Sequence, residues 1–582
     1  MNLWSCTAPG RHPQRRSMPP FFVAMLGIFA VAAAASSATD AQSPKNRVVA
    51  QNGTPRDRAS QDRPGKTENR PTATRSKRLP NILLILVDDM GYGDPKCFNA
   101  ASKIPTPNLD RLAAEGMRFT DAHAPGPLCH MSRYGLMTGR YPFRVDVGRW
   151  PSHALIRPGE PTIATVMQNA GYQTAMVGKW HLGFEETGEK DSPDRYAGRL
   201  SGGPIDHGFD SFFGIRASTD IPPYFYIRDD HASSLPTRSI ADNRSEGWSP
   251  IQGAFWRQGG ISPGLRLEDV LPRFRDEANR VIDQRQSKNT NQPLFMYLAL
   301  PSPHTPWLPS KSFQGKSGAG MYGDFMMMVD DAIGSVIDRM KRIGSDEETL
   351  VIFSSDNGPV WYPTDVQRFG HSSTGPLRGM KADAWEGGHR MPMIARWTGT
   401  IPAGSTNNKL VSFCDLLATF DQLVDGKTHT SGNSNQDDDP VMMPAPDSFS
   451  FLDSLRGTLP GGNQPQRTEL ALRSGRRLMT YRSGKWKLIE GRGSGGFSDG
   501  YQQRLSPQEL VAAQPVAGQL YDLDADMGEK NNLFAGSVQR VNGMRSSLQR
   551  VKKSGHRQVV MQGNVVNRDD GTTQDDAKKE RE

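Results

Sequence analysis

Apolar runs of strand length alternate with stretches of helical period through residues 80–425, the pattern of an α/β domain with a mainly parallel sheet. Residues 82–87 (ILLILV) and 294–300 (LFMYLAL) are apolar without alternation, as expected of strands covered on both faces. Residues 173–177 and 350–353 read as two further strands. Thr106 followed by Pro107 predicts a helix start and Gly116 its stop, and a second helix is predicted over 163–170, ending at Gly171. Phe325, Met328, Val329, Ile333, Val336, Ile337 and Met340 recur at helical spacing, so 325–342 is predicted as a longer helix with a buried stripe. Its methionines read as core packing. Asp330 and Asp331 fall on its solvated or capping side.

After about residue 425 the texture changes. A polar Gly, Ser, Asn and Asp-rich insert at 425–439 leads to β-like runs at 478–481 and 486–489 and a late helix over 538–552. The expectation is a large mainly parallel sheet flanked by helices (79–425), followed by an insert and a smaller C-terminal α+β domain with an antiparallel sheet (426–554). A polar tail follows at 555–582.

The chain has 582 residues, four cysteines and a pI of about 9.2. Cys6 lies in the N-terminal segment, and Cys97, Cys129 and Cys414 are too few for a disulfide scaffold. The basic balance invites a nucleic-acid partner, but its distribution argues otherwise. Residues 1–78 hold 13 of the 70 Lys and Arg and only 4 of the 62 Asp and Glu, leaving 57 basic and 58 acidic residues beyond them. The globular part is therefore close to neutral, and no nucleic-acid partner is expected. Arg11, Arg15 and Arg16 precede an apolar stretch, 21–34, which runs into Ala35, Ser36, Ser37 and Ala38. This predicts a signal peptide at 1–41, cleaved near Ala38 or Ala41, and an exported protein, periplasmic or secreted. The stretch is short for a membrane span, and no transmembrane segment is expected. Residues 42–78, rich in Pro, Gln, Asn and Arg, read as a disordered basic linker.

In open α/β sheets ligands gather beyond the carboxyl ends of the strands. Four such ends carry unusual polar groups: Asp88 and Asp89 after ILLILV, Lys179 and His181 in GKWHLG, His304 in PSPHTP, and Asp356 with Asn357 in SSDNG. The acids and amide offer oxygen ligands only, which suits Ca²⁺ or Mg²⁺ rather than zinc. Each pair taken alone would equally serve as a turn cap.

Cys129 opens the run CHMSRYGLMTGR, which resembles the nucleophile segment of the type I, formylglycine-dependent sulfatases within the alkaline phosphatase-like superfamily. Cys129, Ser132, Arg133, Thr138, Gly139 and Arg140 hold the matching spacing, while Met131 stands where the family has proline or alanine. VDDMGYGD, GKWHLG, PHTP, SSDNG and the run GPLRGMKADAWEGGHRMP (375–392) resemble further sulfatase segments in the family's order. The resemblance, arylsulfatase-like, covers about residues 80–535. It implies a sulfuric ester hydrolase acting on aryl sulfate or sulfated carbohydrate, with Cys129 oxidised by a formylglycine-installing enzyme to 3-oxoalanine, whose hydrate attacks sulfur. Asp88, Asp89, Asp356, Asn357 and the modified Cys129 would hold calcium, with magnesium the second choice. Arg133, Lys179 and His181 would hold the hydrate, and His304 and Lys381 would grip sulfate and protonate the leaving oxygen. A phosphate or phosphonate ester hydrolase of the same superfamily is one alternative; an unmodified, non-catalytic binder of sulfated glycans is another. Substrate choice is expected in loops such as 185–203, 217–260 and 491–519, where Tyr224, Phe225, Tyr226, Trp248 and Trp256 would either stack on sugar or anchor the loop.

Overall fold

The computed structural model describes residues 79–554 apart from 187, 190–191, 288–291, 344, 346–347, 426–444, 458–465 and 503–516. The expected signal peptide, basic linker and polar tail, and nearly all of the polar insert, lie outside the described residues.

The central element is β1 (Asn81–Asp88), buried along its whole length. It pairs in parallel with β10 (Thr349–Ser355) and with β9 (Leu294–Pro303). Beyond β9, parallel pairing continues through β3 (Gln173–Lys179) and β4 (Ser211–Ile215), and β5 (Ile227–Arg228) and β6 (His231–Ala232) close that edge. Beyond β10 the direction reverses: β11 (Arg390–Arg396) is antiparallel to both β10 and β2 (Met117–His123). The edge is completed by β12 (Ser405–Asn407) and β13 (Val411–Ser412), both beside β2. A short separate ribbon pairs β7 (Arg238–Ile240) with β8 (Gly259–Ile261).

The unbroken apolar runs have a direct cause. Ile82, Leu84 and Leu86 enter one core and Leu83, Ile85 and Val87 the other, because successive side chains of a strand point to opposite faces. The first core takes residues from α2 (Cys129–Thr138), α3 (Ile163–Asn169) and the helix Asp415–Asp425. The second takes residues from α1 (Pro107–Glu115), α4 (Val270–Ser287) and α5 (Gly320–Arg342). Each fully buried Leu or Ile contributes about 1.5–3 kcal/mol. Leu84→Ala, which also leaves a cavity, would cost about 2–5 kcal/mol.

The predicted strands and helices appear within a few residues of their expected bounds, with one informative exception. Helix α5 begins five residues earlier than its apolar stripe, at Gly320, despite the poor helix propensity of glycine. Gly320 sits in the left-handed region at φ 60°, and a Cβ there would come within 2.8 Å of the Phe369 ring, so backbone and packing both select glycine. Asp330 is buried, and its carboxylate accepts hydrogen bonds from the Asn108 and Leu109 backbone N–H groups at 3.0 and 2.9 Å. It thereby caps α1 across space, where the Thr106 side chain makes no capping bond. In the 217–260 loop, Tyr224 and Phe225 are buried and Trp248 lies between Trp307 and Phe369, so these three anchor the loop.

The C-terminal part is an antiparallel sheet in the order β14 (Glu469–Arg473), β15 (Met479–Ser483), β16 (Trp486–Ile489), β17 (Gln519–Asp522). Val541, Met544 and Leu548 of the helix Val538–Ser554 cover it. Buried ion pairs tie this sheet to the larger one. Arg482 donates to both oxygens of Asp121 at 2.7 Å, and Lys487 Nζ lies 2.9 Å from Glu386 and 2.9 Å from Glu529.

Candidate active site

Strands β1, β3, β9 and β10 are neighbours in the sheet and parallel, so their carboxyl ends open on one edge. Asp88 ends β1; Asp89 follows in the left-handed region at φ 65°, which Asp tolerates better than most residues. Both carboxylates are buried. Lys179 ends β3, His304 follows β9, and Asp356 with Asn357 follows β10.

Helix α2 begins at Cys129, so the thiol occupies the first helical turn. The Sγ donates to Asp88 Oδ1 at 3.4 Å and receives a hydrogen bond from Lys381 Nζ at 3.3 Å. Lys381 also donates to Asp89 Oδ1 at 2.6 Å, as does Asn357 Nδ2 at 2.6 Å. One turn along α2, Arg133 sends Nε to Asp356 Oδ2 at 3.0 Å and NH1 to the Lys179 carbonyl at 2.9 Å. Lys179 Nζ pairs with Asp88 and donates to Ser218 Oγ at 2.7 Å. His304 Nε2 lies 3.6 Å from Asp89 Oδ2, while its Nδ1 meets the Thr305 carbonyl at 2.7 Å.

Nine of the ten expected residues thus form one contact network: Asp88, Asp89, Cys129, Arg133, Lys179, His304, Asp356, Asn357 and Lys381. His181 stands beside it. Its backbone is left-handed at φ 60°, its ring stacks on Trp150 at 4.5 Å, and its buried Nδ1 has no hydrogen-bond partner among the described residues.

The electrostatics follow from burying mixed charges at close range. Burial alone would raise the Asp88 carboxyl, but Lys179, His304, Arg133 and Lys381 outweigh it and hold the group well below the usual carboxylate range. Asp356 moves the opposite way, to about 6, because burial and the Asp88 charge outweigh Arg133. Burial, reinforced by Asp88, raises the Cys129 thiol. For Lys381 burial favours loss of the proton, yet Asp89, Cys129 and Asp88 together raise it well above the ordinary lysine value. Burial, then Lys179 and His130, push His181 well below the ordinary histidine value.

Ligand atoms of Asp88, Asp89, Cys129 and His304 all lie within 4.8 Å of one another. Asn357 Oδ1 is buried with no hydrogen-bond partner among the described residues, an unmet acceptor beside acids. An oxygen acceptor and neighbouring carboxylates fit a hard divalent cation.

Three neighbours were not picked out from the sequence. Ser218 receives Lys179, and Asp220 Oδ1 lies 3.8 Å from His304 Nδ1 while pairing with Arg257. Asp94 accepts from Gly91 N–H at 2.7 Å and from Tyr322 at 2.5 Å, and contacts His371 at 2.8 Å, holding the turn after β1. Asp94 lies within the VDDMGYGD segment, a signal that was available; Ser218 and Asp220 belong to no such segment.

The sulfatase family model matches residues 80–426, which include every strand that supplies this site. An N-acetylgalactosamine-6-O-sulfatase of Bacteroides thetaiotaomicron is 30% identical over 516 residues, covering 82% of this chain and 94% of that protein. Human arylsulfatase A is 33% identical over 477 residues, covering 79% and 84%. A solved structure from a B. thetaiotaomicron locus for metabolism of multiple glycosaminoglycans matches with a TM-score of 0.66 at 29% identity, covering 82% of this chain and 99% of that one. The chain belongs to the sulfatase family. It is a sulfatase, a hydrolase of sulfate esters.

Proposed function

We propose that this enzyme cleaves sulfate esters on carbohydrate, using a nucleophile made from Cys129 and a calcium ion held by Asp88, Asp89, Asp356 and Asn357 together with the modified Cys129. The observation that carries the proposal is the setting of Cys129 Sγ, 3.4 Å from Asp88 Oδ1 and 3.3 Å from Lys381 Nζ at the start of a helix. The partnerless Asn357 Oδ1 supports the cation, since oxygen donors leave His304 free for substrate. When present, the formylglycine hydrate supplies the attacking oxygen and the cation supplies Lewis-acid stabilisation of anionic oxygens.

The remaining residues divide the work by what already occupies them. Arg133 is locked by Asp356 and the Lys179 carbonyl, so it orients the group at position 129 rather than moving with substrate. Lys381 spends two of its three N–H donors on Asp89 and Cys129, leaving one for a substrate oxygen. His304, donating Nδ1–H to the Thr305 carbonyl, turns Nε2 toward the acids and carries a proton there only as imidazolium. Lys381 and His304 are the groups placed to meet charge that develops on the leaving oxygen. His181 is kept neutral by burial and then by Lys179, and its Nδ1 has no hydrogen-bond partner among the described residues.

The names of the bacterial N-acetylgalactosamine-6-O-sulfatase and of the glycosaminoglycan-locus structure support a sulfated sugar as substrate. The arginines and apolar stretch of residues 11–34 support export.

The test begins with mass spectrometry of the Cys129 peptide, in the wild type and in Met131→Pro, followed by paired assays of aryl sulfate, aryl phosphate and a 6-sulfated amino sugar. Aldehyde at position 129 with higher kcat/KM on the sulfates is expected. Preference for phosphate, or turnover by protein carrying only the thiol, would sink the proposal.

A further inference from the structure

Beside Cys129 lies a cleft of about 640 Å³, lined by Leu128, His130 and Met131 on one side and by Trp150, Arg473 and Arg477 on others. Its volume is in the range that holds a sugar-sized ligand. Its first wall flanks Cys129 in the chain. Arg473 ends β14, and Arg477 lies in the turn toward β15. That turn is built, not loose. Gly475 N–H donates to the carbonyl of Ala382, the residue after Lys381, at 2.9 Å, and Arg476 N–H donates to the Gly495 carbonyl at 2.7 Å. The loop bearing the arginines is therefore pinned next to a proposed catalytic lysine.

Among the described residues neither Arg473 nor Arg477 forms an ion pair or a side-chain hydrogen bond. Arg473 is half-buried, and its neighbours in charge are Arg477, which repels it, and Asp146, which attracts it. Asp146 lines the same cleft and also accepts from Gly148 N–H at 3.0 Å. A second guanidinium near enough to repel the half-buried Arg473, with one carboxylate near enough to attract it, leaves unmatched positive charge.

We propose that this cleft is a second-anion subsite: while one sulfate ester occupies the Cys129 pocket, Arg473 and Arg477 hold another anionic group of the same oligosaccharide. The shared chemistry is a planar or tetrahedral oxyanion met by the two-pronged guanidinium, and the group is a uronate carboxylate or a further sulfate. The inference rests on the sulfatase reading and adds the substrate class, a polyanionic glycan fragment.

Two measurements separate the inference from that reading. First, affinity is measured by calorimetry on Cys129→Ala protein, which turns nothing over. The probes are a sulfated disaccharide with a uronate, the same disaccharide with the carboxyl reduced to an alcohol, and a disulfated disaccharide without uronate. Arg473→Gln and Arg477→Gln are each expected to weaken at least one doubly anionic probe by about 10- to 100-fold and the reduced probe by less than threefold. The probe that suffers more identifies carboxylate or sulfate as the second anion. Equal affinity of all probes, or equal loss across them, would overturn the subsite. Second, kcat/KM is measured on aldehyde-bearing protein, where the arginine changes should lower turnover of the doubly anionic disaccharide at least tenfold more than that of a small aryl sulfate. Absence of any sulfate turnover by that protein would instead count against the sulfatase chemistry, while the binding arm still decides the arginines.

Discussion

Lys381→Met removes an ammonium that contacts both Asp89 and Cys129, at 2.6 and 3.3 Å, and keeps a buried side chain of similar length. Asp89 retains Asn357 Nδ2 at 2.6 Å, so the acid is not stranded and the fold should hold. The third donor of Lys381 is assigned to the leaving oxygen. Losing a preorganised donor at that position costs about 2.7–4 kcal/mol of transition-state stabilisation, or about 10²- to 10³-fold in kcat. If Lys381 also delivers the proton, the penalty depends on the leaving group. A nitrophenolate leaves without a proton, whereas a sugar alkoxide does not, so a sugar sulfate should lose roughly a further 10². The assay is kcat on an activated aryl sulfate, a phenyl sulfate and a 6-sulfated sugar, with the aldehyde at position 129 quantified in each preparation. Losses rising with leaving-group pKa support the assignment. Equal losses on all three would move the acid to His304, and losses below tenfold throughout would refute the reasoning.

Cys129→Ala should abolish turnover, by at least 10⁴-fold, while a thermal melt shifts by only a few degrees, because one small buried side chain replaces another. Prolonged chelation should remove activity, with calcium restoring more of it than magnesium, and calcium should raise the melting temperature because it binds only the folded site. Away from the site, burial, with the Glu386 charge behind it, raises Glu529 to about 7 from an ordinary value of 4.5, despite Lys487. Between those values the folded chain holds more protons than the unfolded one, so this group's contribution to stability declines as pH rises from about 4.5 to 7. Glu529→Gln should flatten that part of the curve of urea midpoint against pH; an unchanged slope would show that the group does not titrate there.

Features set by short-range chemistry were readable from the chain. Pro107 and Gly116 bound a helix because one ring presets φ and one glycine ends the run, and 82–87 reads as a doubly covered strand because every position is apolar. Strand β11 was not legible. RMPMIAR contains a proline and begins and ends in arginine, and it pairs only because β2 and β10 lie on either side of it. The early start of helix α5 was not legible either: it falls at a left-handed glycine, with the Phe369 ring within 2.8 Å of where a Cβ would stand. The polar strand ends at Asp88, Lys179, His304 and Asp356 stood out because a charge directly after a buried run must be satisfied somewhere.

By itself the chain determined the alternation of strands and helices, the oxygen-donor and cationic residue types at four strand ends, and the peptide that contains Cys129. These are local properties, written in residue type and spacing. Only the tertiary structure decided that four strands would lie side by side in parallel and so bring residues as far apart as Asp89 and Asn357 to 2.6 Å. It also decided that His181 would stack on Trp150, outside the contact network, and that Arg473, from a different sheet, would line the cleft beside Cys129. Contacts between distant segments depend on sheet order and loop packing, which come from the summed burial of many side chains and from no single motif.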